Sequence, residues 1–364
     1  MKNNKTIAFV INSLSSGGAE RVVSILANSL VRTYNVIIIT FIDAPIFYDL
    51  DKEIKIRNCT AKIEPSKNPF QAISSNLLLI RKIGYFLKKD RVDVCIGFMT
   101  TANILAVIAS KTRNIPVLIS ERNNPYLEDN SIPRYWKIFR RFAYPKANFL
   151  IVQTDGIKEF YKKFIRQNRL KIIPNPINPS FKKTDGIGRE NIILNVGRLS
   201  DQKAQDILIR AFANIRPKDW KLHIVGEGEK KEILESLIDD LNMSGQIELL
   251  GTSENIEELY GNSKIFAFTS IFEGFPNALL EAMHFGLACI STDCPTGPRE
   301  LITDGENGYL IPVNDIKALE NKLIFLMNNE QEIKRIGNAA SIYTQKYQAD
   351  RIVSKWEDLL TLAK

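Results

Sequence analysis

Short apolar runs alternate along the chain with segments whose apolar residues return every three or four positions. In the first half the apolar runs lie at 6–12, 34–41, 92–98, 115–120 and 147–153. After the first run, apolar residues stand at 19, 22, 23, 26, 27 and 30, which is a helical spacing. A buried strand, a turn, an amphipathic helix and a second buried strand form a βαβ unit. The pattern therefore predicts a parallel sheet flanked by helices.

The second half of the chain restarts the same alternation. Its apolar runs lie at 191–197, 221–226, 247–251, 264–270 and 288–294, and residues 315–364 read as helices. Between the halves, the Pro-rich segment PNPINPS at 174–180 breaks any regular element. We place the linker between residues 174 and 188, and predict two α/β domains at 1–180 and 186–346.

Length and composition agree with two globular domains. A chain of 364 residues is too long for one compact core. No apolar run is long enough to span a membrane, and MKNNKTIAFVIN lacks the features of a signal peptide. The four cysteines follow no zinc spacing, so we expect reduced thiols in a cytosolic protein. With only His223 and His284 present, we expect no histidine-built metal site.

Charge divides the chain into a basic and an acidic half. Residues 1–185 hold 30 Lys and Arg against 14 Asp and Glu, a balance of +16, and the remainder carries −8. Such asymmetry suggests two domains with different partners. A basic surface suits nucleic acid or an anionic membrane.

The segment FEGFPNALLEAMHFG at 272–286 carries the strongest chemical signal. Pro276 suits the first position of a helix, which leaves three backbone N–H groups pointing outward unpaired. These N–H groups belong to Asn277, Ala278 and Leu279. They suit a phosphate, while the carboxylates of Glu273 and Glu281 accept hydrogen bonds from sugar hydroxyls. The segment therefore reads either as a holder of a nucleotide sugar or as an ordinary capped amphipathic helix.

A second site signal follows the strand predicted at 191–197. Arg198 ends this strand, and Ser200 or Asp201 can cap the next helix, whose first turn then contains Lys203. Two cations beside a helix start suit a diphosphate, on which negative charge develops as its bond to a sugar breaks. Solvated surface charge is the alternative. The Gly-x-Gly of VGEGEKK at 225–231 lacks a third glycine in register, so it is a poor dinucleotide fingerprint.

The first half of the chain also has candidate ligand-binding residues at the carboxyl ends of its predicted strands. Gly17 and Gly18 follow the first strand, where glycine lets a backbone approach a ligand closely. Arg122 follows the strand at 115–120, and its planar fork suits a diphosphate. A tight turn and a surface arginine are the corresponding structural alternatives.

Three segments mix cations with large aromatic residues, at 81–91, 134–146 and 158–171. This mixture suits the surface of an anionic membrane. In the second segment, Trp136, Phe139 and Phe142 recur at three-residue spacing and could equally face a core.

Three motifs together resemble those of retaining glycosyltransferases of family 4, which have the GT-B fold. They are GGAER at 17–21, NVGRLSDQK at 195–203 and EGFPNALLEA at 273–282. The resemblance covers nearly the whole chain. It implies two Rossmann-like parallel-sheet domains that face each other across a cleft. The last helix, within 347–364, would cross back to the first domain.

The resemblance also implies roles for individual residues. Glu273 would hold hydroxyls of the donor sugar and Glu281 those of the ribose. Arg198 and Lys203 would neutralise the diphosphate, which Gly17 and Gly18 would approach through their backbone. Many relatives place a histidine near the donor sugar after the fourth or fifth strand. Here that region is SERNNP, so Arg122 would take its place.

The implied activity is transfer of a hexose or N-acetylhexosamine such as Gal, GalNAc or GlcNAc. The donor would be a UDP-sugar and the acceptor a glycan on undecaprenyl diphosphate, in bacterial surface-polysaccharide or lipid-linked oligosaccharide assembly. The hexosyltransferase would need neither metal nor cofactor and would have no nucleic-acid partner. It would be cytoplasmic, peripheral on the anionic inner face of the membrane. A sugar-nucleotide epimerase of the same fold and a nucleic-acid-binding protein are the alternatives.

Overall fold

The computed structural model describes residues 4–62, 69–122, 124–126, 133–183, 188–253 and 255–363. The chain divides into two compact units, Met1–Pro176 with Ala349–Lys364, and Ile177–Gln348. The chain passes from the first unit to the second at Pro176, inside the segment predicted as the linker.

The first unit is built on a parallel sheet. Among its described residues, seven strands pair in the order β3-β2-β1-β4-β5-β6-β7. They are β1 (Thr6–Ile11), β2 (Asn35–Ile42), β3 (Lys55–Thr60), β4 (Val94–Phe98), β5 (Val117–Ser120), β6 (Phe149–Val152) and β7 (Leu170–Ile172). The order reverses between β1 and β4, so their carboxyl ends flank the crevice where such sheets bind ligands.

Helices cover both faces of this sheet. They are α1 (Gly18–Leu30), α2 (Pro69–Lys89), α3 (Thr100–Lys111), α4 (Arg134–Ala143) and α5 (Asp155–Tyr161). Successive residues of β1 alternate between the two faces, since Ile7 and Phe9 belong to one apolar cluster and Ala8 and Val10 to the other. A strand buried on both faces must be apolar throughout, which explains its continuous apolar run.

The last helix belongs to this first unit although it follows the second unit in the chain. It is residues Ala349–Leu362, and it packs against α1. Its Trp356 is fully buried, and the indole stacks on the Phe98 ring with 5.7 Å between centroids.

The second unit repeats the architecture. Among its described residues, six parallel strands pair in the order β10-β9-β8-β11-β12-β13. They are β8 (Glu190–Val196), β9 (Lys221–Val225), β10 (Ile247–Gly251), β11 (Ser263–Phe268), β12 (Ala288–Thr292) and β13 (Tyr309–Ile311). Here the strand order reverses between β8 and β11.

The helices of the second unit again lie along both faces of its sheet. They are α6 (Gln205–Ile215), α7 (Lys231–Asp240), α8 (Ile256–Asn262), α9 (Asn277–Phe285), α10 (Pro298–Leu301), α11 (Ile316–Met327) and α12 (Glu330–Tyr343), and the returning helix of the first unit is α13. Neighbouring residues of β8 again separate, with Ile193 in one apolar cluster and Leu194 in the other. The predicted α/β class with two parallel-sheet domains is confirmed.

Two further structural facts bear on function. The four cysteines are buried free thiols. Within the ranges given above, we find no helix with the length and apolar character that crossing a bilayer requires.

Candidate active site

The candidate site lies in the second unit, where the sheet's strand order reverses. The loop after β8 carries Arg198 and Lys203, and the loop after β11 carries Glu273. Because β8 and β11 are parallel neighbours, their carboxyl ends bring both loops to one point of the sheet edge. Ligands of open α/β sheets bind at such switch points.

Backbone and side-chain hydrogen bonds hold the two loops together. Thr269 Oγ1 donates to the Lys203 carbonyl at 2.9 Å, and the Ile271 N–H donates to the Gln202 carbonyl at 2.8 Å. The Gln202 side chain in turn donates to the Phe272 carbonyl at 2.9 Å. The backbone on both sides of the site is thereby fixed before any ligand binds.

Lys203 and Glu273 form an ion pair in this junction. The Lys203 Nζ lies 2.5 Å from Glu273 Oε1, and only 19% and 8% of the two side chains are exposed. The ammonium also lies 5.0 Å from the centre of the Phe268 ring. A carboxylate that accepts from hydroxyls beside an ammonium that donates to phosphate is the chemistry that a nucleotide sugar requires.

The position of Lys203 corrects one prediction from sequence. Helix α6 begins at Gln205 rather than near Ser200, so Lys203 lies in the preceding turn and not in the helix's first turn. The Lys203 N–H donates to the Ser200 carbonyl at 3.0 Å, and Ala204 then takes a left-handed conformation with φ 46°. This reversal aims the lysine back across Gly197, whose missing Cβ would lie 3.3 Å from the lysine stem.

Arg198 lies on the same loop, with its side chain exposed. Its carbonyl accepts a hydrogen bond from the Gln205 side chain at 3.0 Å. Among the residues that the structure describes, the guanidinium has no hydrogen bond or ion pair. It therefore remains available for an anionic ligand at this edge.

The start of α9 also differs from the prediction. The helix begins at Asn277, and Pro276 is its N-cap instead of its first residue, with φ −83° and ψ 83°. The Asn277 N–H is not free, because it donates to the Phe275 carbonyl at 3.0 Å. Ala278 and Leu279 occupy the first turn, where N–H groups have no partner within the helix.

Glu281 lies one turn into α9 and is 5% exposed. The Tyr260 hydroxyl lies 3.1 Å from Glu281 Oε2 and can donate to it. This contact fixes the carboxylate, so its remaining lone pairs have a defined direction.

Sequence reasoning missed the contribution of the turn after β12. Gly297 has φ 100°, and a Cβ there would lie 2.9 Å from Pro276 Cδ and 3.2 Å from Glu273 Cβ. Thr296 Oγ1 donates to the Glu273 carbonyl. The turn thus fixes the backbone and Cβ of Glu273, and the Thr-Gly pair in PTGPRE at 295–300 is the sequence signal that could have revealed it.

The Gly-x-Gly that follows β9 has a structural role at the carboxyl edge of this sheet. A Cβ on Gly226 would lie 2.0 Å from the Gly197 carbonyl oxygen, and one on Gly228 would lie 2.2 Å from that of Leu199. These glycines let the loop after β9 pack directly on the loop that carries Arg198. The motif is therefore a packing device for the site's backbone.

The predicted glycines of the first unit lie at that unit's own switch point. Gly18 begins α1, and Gly17 is its N-cap with an extended backbone. The Tyr48 hydroxyl donates to the Gly17 carbonyl at 3.1 Å, and a Cβ on Gly17 would meet the Glu20 carboxylate at 2.1 Å. The glycine thus makes room for Glu20, whose pKa is raised by burial.

Arg122 is buried in the first unit, with 8% exposure. Its guanidinium lies over the rings of Phe98 and Trp356, at 5.1 and 5.8 Å from their centres, and donates to Asn175 Oδ1 at 2.5 Å. Within the described residues its Nε and Nη2 have no partner. Burial lowers the pKa of Arg122 to about 9, which the nearby Glu121 partly opposes.

Met99 is a further residue that the sequence did not single out. It follows β4 at the switch point and caps α3 with φ 75° and ψ 153°, a conformation that only glycine adopts readily. Nothing in a methionine predicts such a backbone, and strain of this kind clusters at functional sites.

In the described part of the chain, no three His, Cys, Asp or Glu side chains converge where a metal ion could be held. The expectation that the reaction requires no metal stays a prediction.

Two family models match the chain. Residues 16–181 match the family described as Glycosyltransferase Family 4, and residues 177–342 match Glycosyl transferases group 1.

Curated relatives match over almost the whole length. One from Campylobacter jejuni is 30% identical and covers 98% of this chain and 99% of its own. It is named GalNAc-alpha-(1->4)-GalNAc-alpha-(1->3)-diNAcBac-PP-undecaprenol alpha-1,4-N-acetyl-D-galactosaminyltransferase. Another from that organism, 31% identical over 95% and 96% of the two chains, is N-acetylgalactosamine-N,N'-diacetylbacillosaminyl-diphospho-undecaprenol 4-alpha-N-acetylgalactosaminyltransferase.

A solved structure supports the fold. Anabaena Alr3699/HepE in complex with UDP superimposes with a TM-score of 0.82 at 19% identity, over 98% of this chain and 99% of its own. At this identity the likeness establishes the GT-B fold alone. Family models, relatives and fold agree: the chain belongs to glycosyltransferase family 4 and is a hexosyltransferase built from two Rossmann-like domains.

Proposed function

We propose that the chain transfers a hexose or N-acetylhexosamine from a UDP-sugar to a glycan carried on undecaprenyl diphosphate, with retention of the donor's α configuration. Both Campylobacter relatives are named as N-acetylgalactosaminyltransferases acting on undecaprenol-linked glycans, which supports this acceptor class. The Anabaena neighbour was solved with UDP, which supports the uridine nucleotide. The enzyme would act at the inner face of the cell membrane.

One observation carries the proposal: the Lys203–Glu273 ion pair at the β8/β11 switch point. Stability alone does not explain an ion pair this buried, because the cost of removing both charges from water offsets much of their attraction. Here hydrogen bonds between the loops fix the backbone around both partners, so the two charges are pre-organised. A diphosphate oxygen would replace the carboxylate on the ammonium, and Glu273 would turn to hydroxyls of the sugar.

The reaction breaks the bond between the anomeric carbon and the diphosphate oxygen and forms one to the acceptor oxygen. Lys203, Arg198 and the N–H groups of Ala278 and Leu279 would stabilise the charge left on the diphosphate. The acceptor's proton passes to that departing diphosphate. Attack occurs on the face that the leaving group vacates, so the configuration is kept. These cations take the place of a metal, and none is required.

Glu281 would hold the ribose hydroxyls, since Tyr260 already orients its carboxylate. In the first unit, Gly17, Gly18 and Arg122 would bind a ligand at that unit's own switch point.

The experiment replaces Lys203 by Met and Glu273 by Gln and measures transfer from UDP-GalNAc and UDP-GlcNAc to an undecaprenyl-diphosphate-linked acceptor. Because each variant removes charge stabilisation at the reacting centre, we expect kcat/KM to fall about 10²–10³-fold. Lys264→Met is the matched control, since Lys264 is 17% exposed and also pairs with a glutamate, Glu330 at 2.9 Å, but lies at the amino end of β11, the opposite end of that strand from the site.

Circular dichroism and urea unfolding confirm that each variant is folded. Near-wild-type transfer by folded Lys203→Met protein would exclude the proposed role. Equal losses in the Lys264→Met control would show that the effect is not specific to the site.

The alternatives have less support. The relatives and family models are transferases, and nothing among them supports the epimerase. Incubation with UDP-GlcNAc and no acceptor tests it, because an epimerase converts that substrate into an epimeric UDP-sugar, whereas a transferase does not. A nucleic-acid-binding function would show affinity that falls steeply with salt.

A further inference from the structure

Helix α4 presents its apolar stripe to solvent. Tyr135, Ile138, Phe139 and Phe142 are 45%, 57%, 50% and 68% exposed. They stand at positions i, i+3, i+4 and i+7, the spacing that a surface helix normally turns toward the core. The sequence left open whether Trp136, Phe139 and Phe142 face the core. Of these three, Trp136 is partly buried against it.

The opposite face of α4 is occupied by a charge. Arg140 is 4% exposed, and its guanidinium lies over the rings of Phe160 and Tyr161, 5.5 and 5.9 Å from their centres. A helix that faces only water normally keeps its large apolar side chains on the buried face, since their burial is what stabilises it. The inverted arrangement indicates that the exposed stripe has a partner.

A groove accompanies the stripe. It lies between α3 and α4, has a volume of about 420 Å³, and is lined mainly by apolar side chains. Ile104, Ile108, Phe139 and Phe142 line it, and the cations Lys111 and Lys146 lie at its edges.

The two charged residues that line the groove among the described residues, Lys111 and Lys146, are both cations. Neither α3 nor α4 contains an acidic residue. Lys111 ends α3, while Arg134, Lys137 and Arg141 lie on α4. The surface therefore combines exposed aromatics with cations, which is the chemistry of a helix lying in the headgroup region of an anionic bilayer.

We propose that α4 docks this protein on an anionic membrane, with Ile138, Phe139 and Phe142 inserted among the lipids and the flanking cations on the headgroup phosphates. The inference deepens the proposed function, because an acceptor on a lipid carrier can be reached only at a membrane surface. We commit to the anionic bilayer because its charge complements Lys111 and Lys146 at the groove's edges.

Vesicle co-sedimentation tests the proposal on the full-length protein. The vesicles are pure phosphatidylcholine, or two parts phosphatidylcholine with one part phosphatidylglycerol. We expect binding at least about tenfold stronger with phosphatidylglycerol, since each cation near the surface contributes. High salt weakens it by screening.

The variant Phe139→Glu/Phe142→Glu places two negative charges in the stripe and should weaken this binding at least about tenfold. Ile233→Glu/Ile342→Glu is the matched control, because these two side chains lie on α7 and α12 of the other unit and are 57% and 67% exposed. The control adds the same two negative charges at similarly exposed apolar positions and should bind vesicles like the wild type. A UDP-induced rise in melting temperature, unchanged in each variant, verifies that the protein is folded.

The proposal is overturned if the wild type binds both kinds of vesicle equally. It is also overturned if the double variant sediments with the vesicles as well as the wild type does. A third outcome also overturns it: the wild type does not bind vesicles but forms a concentration-dependent dimer, and the double variant is monomeric. The stripe would then contact a second copy of the chain. Transfer to a short-chain, water-soluble acceptor separates the two proposals. The double variant retains that activity if only docking fails, whereas the wild type lacks it if the proposed function itself is wrong.

Discussion

Arg122 is a cation held in an aromatic environment. Burial between Phe98 and Trp356 lowers its pKa to about 9, so folding is penalised at every pH below that value, including neutral pH. The penalty is relieved only as the pH rises above about 9. A residue kept at such a cost usually serves the ligand more than the fold.

Replacing Arg122 by Met should therefore separate stability from activity. Because an apolar side chain of similar length suits these rings, we expect stability to stay level or rise by about 1 kcal/mol. Transfer should fall if the guanidinium holds the nucleotide. Urea unfolding and initial rates of transfer measure the two quantities.

Arg140→Met is a useful comparison, since Arg140 is equally buried but lies on α4, outside the proposed site. A stability loss above about 2 kcal/mol in Arg122→Met, with transfer intact, would make Arg122 a structural residue.

The site could be predicted in part from single residues. Lys203 and Glu273 each follow an apolar run predicted as a strand, so their place at the carboxyl edge of a sheet was readable. Their meeting was not, because β9 and β10 separate the two strands in the chain. The Asn277 N–H, the strained Met99 and the close approach of Gly226 were not readable. Each depends on a backbone angle or on a contact between loops distant in sequence, to which residue type alone is a weak guide.

Helix α13 completes the apolar core of the first unit. Ile352, Trp356 and Leu360 are buried in the same cluster as Phe9 and Phe98. Because the helix supplies side chains to the core, its loss should destabilise the whole first unit.

Trp356→Ala should lower the free energy of unfolding by about 3–5 kcal/mol, since it leaves a large cavity. Trp356→Phe should cost much less. The indole Nε1 has no hydrogen-bond partner among the described residues, so no polar contact is lost, and a phenyl ring still stacks on Phe98. Urea unfolding followed by far-ultraviolet circular dichroism gives both values.

Equal losses of stability in the two variants would mean that the important contacts are made by the part of the indole that a phenyl ring lacks. Trp136→Ala, at a partly buried aromatic on α4, should be milder than Trp356→Ala and serves as the control.

Elements were predictable where one pattern dominated. The buried strands β1, β2, β4 and β8 read as apolar runs because both faces of each are covered. The sheet-edge strand β3 (KIRNCT) was missed because only Ile56 and Cys59 are apolar and it carries two cations. The three-residue β7 is too short to show any period. For α4 the periodicity was clear but its direction was not, since which face turns inward depends on the partner.

At the scale of the whole molecule, the identity of the bound nucleotide is the property that can be measured most directly. A ligand that binds only the native state raises its stability by about 2.7 kcal/mol at one hundred times Kd. We expect UDP to raise the melting temperature by on the order of 5 °C, and GDP and ADP to do so much less. Differential scanning fluorimetry with the three nucleotides measures this.

Lys203→Met should reduce the UDP shift, while the Lys264→Met control keeps it. A larger shift with GDP or ADP than with UDP would contradict the proposed donor while leaving the fold and family intact.

The interrupted first unit has a consequence for biosynthesis. Its sheet is complete by Ile172, but its core lacks α13 until residues 349–362 have been translated, after the whole second unit. At roughly 5–20 residues per second, that interval lasts on the order of 10–40 s. During it the nascent chain exposes the apolar face around Phe98 on which Trp356 later stacks, and chaperones that shield such surfaces have a defined window in which to act.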